Sequence, residues 1–75
     1  MVDYTKGRYD VYDSTGELIG RIDEDEFVRS GMKLLYRLDG EEVYTVPTAR
    51  LVGFIEGNVV RDPKTHLEIL KFVPE

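Results

Sequence analysis

The chain contains no cysteine and no tryptophan, a single histidine, and no apolar run approaching the length of a membrane span. Each absence removes a class. Without cysteine there is no disulfide-stapled scaffold, no Cys-ligated zinc site and no thiol nucleophile, and one histidine cannot build a His-rich metal centre. Without a long apolar run there is no spanning helix, and residues Met1 to Arg8 lack the apolar core of a signal peptide, so the cytoplasm is the expected compartment. Gly-rich phosphate loops of Walker or Rossmann spacing are missing, as is any serine in a nucleophile-elbow pattern. The expectation is therefore a protein that is not an enzyme and takes no cofactor or metal. Positive charge is also in deficit: the formal net charge of -5 repels nucleic-acid phosphate on average and disfavours nucleic acid as a partner.

What is present is a repeat. The chain of 75 residues is 41% hydrophobic and 33% charged, enough apolar content for one small folded domain. Val11-Tyr12-Asp13, Phe27-Val28-Arg29, Val43-Tyr44-Thr45 and Val59-Val60-Arg61 start at 11, 27, 43 and 59, a uniform spacing of sixteen. A second motif follows each, starting at Leu18, Leu34, Leu51 and Glu68, so the third and fourth repeats gain one residue in their connections. A register starting at Leu67 is an alternative for the last copy. The repeats span about 9–24, 25–40, 41–57 and 58–75, preceded by a lead segment 1–8.

Each repeat reads as two short strands rich in Val, Ile, Leu, Tyr and Phe, with no clean helical period. Tight acidic turns follow the second strand at Asp23 to Glu26, Asp39-Gly40-Glu41 and Glu56-Gly57-Asn58. Looser connections, with Gly or Pro, join the strands within each repeat. Alternation places Leu18, Gly20 and Ile22 on the core face, matched by Leu34, Tyr36 and Leu38, by Leu51, Gly53 and Ile55, and by Leu70 and Phe72. The opposite face carries Ile19, Leu35, Val52 and Ile69, then Arg21, Arg37, Phe54 and Lys71. The first four would stay half exposed and favour a homodimer.

A hairpin cannot bury its apolar face alone, whereas four around an axis share one core. The expected fold is all-β, with four quasi-equivalent hairpins about a pseudo-four-fold axis and Val2 and Tyr4 covering the seam between the first and last. A small open β-barrel or meander is the alternative. The stretch Arg50-Leu51-Val52-Gly53-Phe54-Ile55-Glu56-Gly57-Asn58-Val59-Val60-Arg61-Asp62 resembles the signature of the four-fold β-flower domain proteins of bacteria and phages, with Phe54 where that signature carries tryptophan. Leu18 to Arg29 repeats it more loosely. The resemblance implies a fold and no chemistry.

Charge patterning supplies the candidate site. With the tight turns on one rim, that rim collects Asp23, Glu24, Asp25, Glu26, Asp39, Glu41, Glu42 and Glu56. The opposite rim collects Arg29, Lys33, Arg50, Arg61, Lys64 and His66, diluted by Glu17 and Asp62. Cations among Gly- and Pro-containing loops can hold an acidic protein surface or an anionic small molecule. The expected function is a non-catalytic module that docks on an as yet unidentified partner protein, of the kind a phage or mobile element encodes as an inhibitor. The alternative is a small-ligand binder that sequesters an anionic metabolite or nucleotide.

Overall fold

The computed structural model describes residues 2–75. Among them the chain forms eight strands: β1 (Arg8–Asp13), β2 (Leu18–Asp23), β3 (Phe27–Ser30), β4 (Lys33–Asp39), β5 (Glu42–Thr45), β6 (Leu51–Glu56), β7 (Val59–Arg61) and β8 (Glu68–Pro74). A short 3-10 turn, Tyr4–Lys6, precedes them. Every strand pairs antiparallel with its chain neighbours, and β8 pairs with β1, so the sheet is a closed up-and-down barrel. Closure leaves no free edge, which resolves the exposed-edge hazard of a small β protein.

One valine from each odd strand lies at the centre. Val11, Val28, Val43 and Val60 are all fully buried. Each pairs across one seam with Gly20, Tyr36, Gly53 or Leu70 and across the other with Phe72, Ile22, Leu38 or Ile55. The equivalent positions are therefore 11, 28, 43 and 60, and the uniform spacing of sixteen is one residue out in the second and fourth repeats. Phe27 and Val59, which that spacing aligned with Val11, occupy the preceding, partly exposed position in their strands.

A bulge in each even strand overturns part of the expected core. Val11 pairs with Gly20 while Tyr12 pairs with Leu18, so Ile19 is the extra residue. The same two-for-one step leaves Leu35, Val52 and Ile69 extra in β4, β6 and β8. A bulge reverses the in–out alternation beyond it. Below the bulge the expected face holds: Ile22, Leu38 and Phe72 are buried, and Ile55 packs against the core. Beyond it the face turns over. Leu18 is 55% exposed and Leu51 is exposed too, while Leu34 is only half buried. Ile19, Val52 and Ile69, expected on the half-exposed face that was to support self-association, instead pack partly buried against the core cluster, while Leu35, like Leu34, is half buried. Arg21, Arg37, Phe54 and Lys71 point to solvent as the alternation indicated.

Gly20 and Gly53 have a steric reason of their own. A Cβ on Gly20 would lie 2.7 Å from the backbone oxygen of Arg29, and one on Gly53 would lie 2.1 Å from that of Arg61. The next strand passes over these glycines at backbone distance, which any side chain would prevent. In the other two repeats the same position is filled by Tyr36 and Leu70.

The extra residues in the third and fourth repeats have a visible geometry. In the β5–β6 connection the Thr45 N–H donates to the Arg50 carbonyl and the Ala49 N–H to the Thr45 carbonyl. The β7–β8 connection copies this, with Asp62 to Leu67 and His66 to Asp62. Ala49 and His66 both take left-handed backbone, at φ 56 and 61. The β1–β2 loop closes one residue earlier, with Asp13 donating to Glu17, and Gly16 takes the left-handed position.

Candidate functional site

Because the barrel is up-and-down, its connections alternate between two ends. The tight turns β2–β3, β4–β5 and β6–β7 share one end, here the turn end, with the lead segment. The connections β1–β2, β3–β4, β5–β6 and β7–β8 share the other, the loop end. The acidic turns therefore lie at one end, and Lys33, Arg50 and Lys64 at the other, where they share the surface with Asp13, Glu17, Asp62 and Glu68.

The turn end is occupied by the chain itself. Tyr4 is buried, packs edge-on against Tyr9 at 4.8 Å and Phe72 at 4.9 Å, and donates its hydroxyl to the Gly57 carbonyl at 2.7 Å. Asp3 anchors this segment by accepting the Thr5 N–H and hydroxyl, bonds that hold its carboxyl below the usual range. Burial pushes the Tyr4 phenol up. Tyr4 thus covers the end of the β1–β8 seam, whereas Val2 is exposed. The acidic turn residues are bridged by arginines: Arg8 meets Asp23 at 3.1 Å and Glu24 at 3.7 Å, and Arg37 meets Glu26 at 3.3 Å. Among the described residues no three acidic or histidine side chains converge to hold a metal ion.

The structure divides the six basic residues of the candidate site. Arg29 reaches away from the loop end and pairs with Asp25 of the β2–β3 turn. Arg61 donates to the His66 carbonyl at 3.1 Å and lies 3.7 Å from Glu56. Both guanidiniums are committed within the barrel. Lys33, Arg50, Lys64 and His66 remain exposed on the loop end, and none of them forms an ion pair among the described residues.

Carboxylates share that end in two ways. Asp13 and Asp62 are turned into their own loops. Asp13 accepts the Thr15 hydroxyl and the N–H groups of Thr15 and Glu17, and Asp62 accepts those of Lys64 and Thr65 at 2.8 and 2.9 Å. These bonds hold both carboxyls below the usual carboxylate range, led by the Thr15 hydroxyl for Asp13 and the Thr65 amide for Asp62. Glu17 and Glu68 are exposed at strand starts.

Sequence reasoning missed the apolar part of this end. Leu18, Leu51, Met32 and Leu67 are all exposed there, Leu67 at 68% and Met32 completely. One signal was available: Glu68 stands in the fourth repeat where Leu18, Leu34 and Leu51 stand in the others, and a glutamate marks a position open to water. Between the two ends the barrel interior is filled by the valine ring and its neighbours. Among the described residues no helix is long and apolar enough to cross a membrane. In comparisons with known proteins the chain matches no family model, no curated protein and no solved structure, so the resemblance of residues 50–62 to the β-flower family rests on those residues alone.

Proposed function

We propose that the barrel is a non-catalytic interaction module that docks the acidic surface of a partner protein on its loop end, around the β5–β6 and β7–β8 connections. One observation carries this reading: Leu51 and Leu67 stand exposed beside His66 and beside Arg50 and Lys64, whose charges have no partner within the described chain. Exposed leucines beside unpaired cations suit a protein face with apolar anchors and a carboxylate rim. The filled interior favours a surface contact over an enclosed small molecule. The loops are held in shape by the Asp62 carboxylate and the paired backbone bonds of both connections, so little ordering is left for the moment of binding.

The test is the double change Arg50→Glu and Lys64→Glu. Both residues are exposed, so circular dichroism and melting stay as in the parent. A protein retained from host lysate by the parent and lost by the variant, with affinity falling as salt rises, supports the reading. Retention unaffected by the double change refutes this surface. A stoichiometric calorimetric response to nucleotides, abolished by the same change, would assign the surface to an anionic small molecule instead.

A further inference from the structure

Tyr4 closes the turn end only on the side of the β1–β8 seam. Between the lead segment and the β2–β3 and β4–β5 turns lies an open cavity of about 720 Å³, a size that suits a small molecule. Its lining is of two kinds. Tyr4, Phe27 and Leu38 supply apolar surface, and Tyr4 and Leu38 belong to the buried core. Around them stand carboxylates from three separate segments: Asp3 of the lead segment, Glu24, Asp25 and Glu26 of the β2–β3 turn, and Asp39 at the end of β4. Lys6 alone among the described lining residues is basic. The walls are tied to one another by backbone, since the Glu24 N–H donates to the Gly7 carbonyl at 2.9 Å and the Leu38 N–H to the Glu26 carbonyl at 2.7 Å. Little ordering is therefore left for a ligand to impose.

Arginines that do not line the cavity engage these acids only in part. Asp25 is fully committed, its two oxygens taken by the Phe27 N–H and by Arg29. Glu24 and Glu26 each turn one oxygen toward an arginine, Arg8 and Arg37 respectively. Asp39 is exposed and forms no ion pair among the described residues, and Asp3 is held by Thr5 and not by a cation. A divalent metal requires its oxygens gathered about one point, and among the described residues no three acids are so gathered. Acids spread around an apolar floor suit instead a cation whose charges are spread along a hydrocarbon chain. We infer that this cavity binds an aliphatic polyamine, with its methylenes over Tyr4, Phe27 and Leu38 and its ammonium groups toward Asp39 and toward Glu24 and Glu26. The net charge of -5 favours the approach of such a cation. The site lies at the opposite end of the barrel from the docking surface proposed above, so either can fail alone.

Calorimetry with spermidine on the full chain at low ionic strength tests the inference. One molecule per chain should bind with a dissociation constant below about 1 mM, and affinity should fall as salt rises. In nuclear magnetic resonance spectra the Leu38 methyl groups and the Tyr4 and Phe27 rings should shift with occupancy, while Leu51 and Leu67 at the loop end stay fixed. Asp39→Asn should weaken binding by about threefold, with the circular dichroism spectrum intact because the residue is exposed and unpaired. Adding Glu26→Gln should bring the loss to about tenfold. Arg50→Glu with Lys64→Glu should leave spermidine binding unchanged, and magnesium at matched ionic strength should not displace it. No saturable heat up to about 10 mM spermidine overturns the inference. So do shifts scattered over the surface, a double variant that binds as the parent does, or displacement by magnesium mole for mole.

Discussion

The two ends of the barrel are made from the same eight strands, yet they are finished differently. At the turn end the alternation of strands is strict, the turns are short, Tyr4 covers the core, and Asp23, Asp25 and Glu26 pair with arginines, with Arg21 reaching Glu75 at 2.9 Å. At the loop end four bulges reverse the alternation, three connections lengthen, and leucines and cations face water. Where inward residues continue to the rim, Tyr4 covers the core at the β1–β8 seam, and a cavity of about 720 Å³ stays open between the lead segment and the β2–β3 and β4–β5 turns. Where a bulge turns one residue in and the next one out, the same pattern presents an apolar surface. The bulge is thus the device that separates the end where alternation is strict from the end where leucines are exposed.

The glycines beside the bulges mark the boundary, and the largest effect is expected there. In Gly53→Ala the new Cβ would sit 2.1 Å from the Arg61 backbone oxygen, which cannot move without opening the β6–β7 seam. A loss of about 3 kcal/mol or more is expected, a large part of what so small a domain possesses. Gly20→Ala, at 2.7 Å from Arg29, should cost less. Urea denaturation of both gives the order, and an unaltered midpoint for Gly53→Ala would mean that the seam is wider than described. Next comes the seal. Tyr4→Ala removes a buried ring in contact with Tyr9 and Phe72 and should cost about 3 kcal/mol, whereas Tyr4→Phe loses only the bond to Gly57 and should cost about 1 kcal/mol. Near-equal melting of the two variants would reduce the seal to its hydrogen bond.

A sharper version of the comparison sets one residue from each environment side by side. Val43→Ala removes two buried methyl groups from the ring and should cost about 2 kcal/mol. Leu51→Ala, beyond the bulge and exposed, should stay within about 0.5 kcal/mol. If the leucine proved the costlier of the two, the assignment of faces would be inverted.

Much of this was legible in residue order, and the part that was not has a definite cause. Strand composition and turn chemistry identified all eight strands, and the closed sheet follows from hairpins that must share a core. The distribution of acidic residues onto the tight turns was also visible, because in an up-and-down sheet every second connection returns to the same end. The pattern of Gly20, Tyr36, Gly53 and Leu70 at one repeat position was visible too, but not its reason, which is the approach of the neighbouring backbone. A bulge, by contrast, leaves no mark on composition. Leu18-Ile19-Gly20 reads as plain alternation whether or not Ile19 is the extra residue, so the faces of Leu18 and Ile19 were exchanged. The direction of Arg29 and Arg61 was likewise hidden, since a flexible guanidinium can serve either end and only the fold sets Asp25 and Glu56 within reach.

The smallest expected effect concerns how the loop end keeps its shape. Asp13, chiefly through the Thr15 hydroxyl and then the N–H groups of its loop, and Asp62, chiefly through the Thr65 N–H, have their carboxyl pKa lowered below the ordinary value of 3.8. A carboxyl with a depressed folded-state pKa stabilises the fold above its unfolded value, and that contribution disappears as pH falls through the folded value. In the Asp13→Asn, Asp62→Asn double variant the side-chain oxygen still accepts but the charge is gone. The parent should therefore melt above the variant at pH 6, and the gap should close as pH drops below 3.8. Thermal melting of the pair from pH 6 to pH 2 provides the measurement, and amide exchange at Lys64 and Thr65 locates it, since these N–H groups bond directly to Asp62. A gap that is constant across the range would show that the ionised carboxylates add nothing beyond the neutral acceptor, and that the loop end is held by its backbone bonds alone.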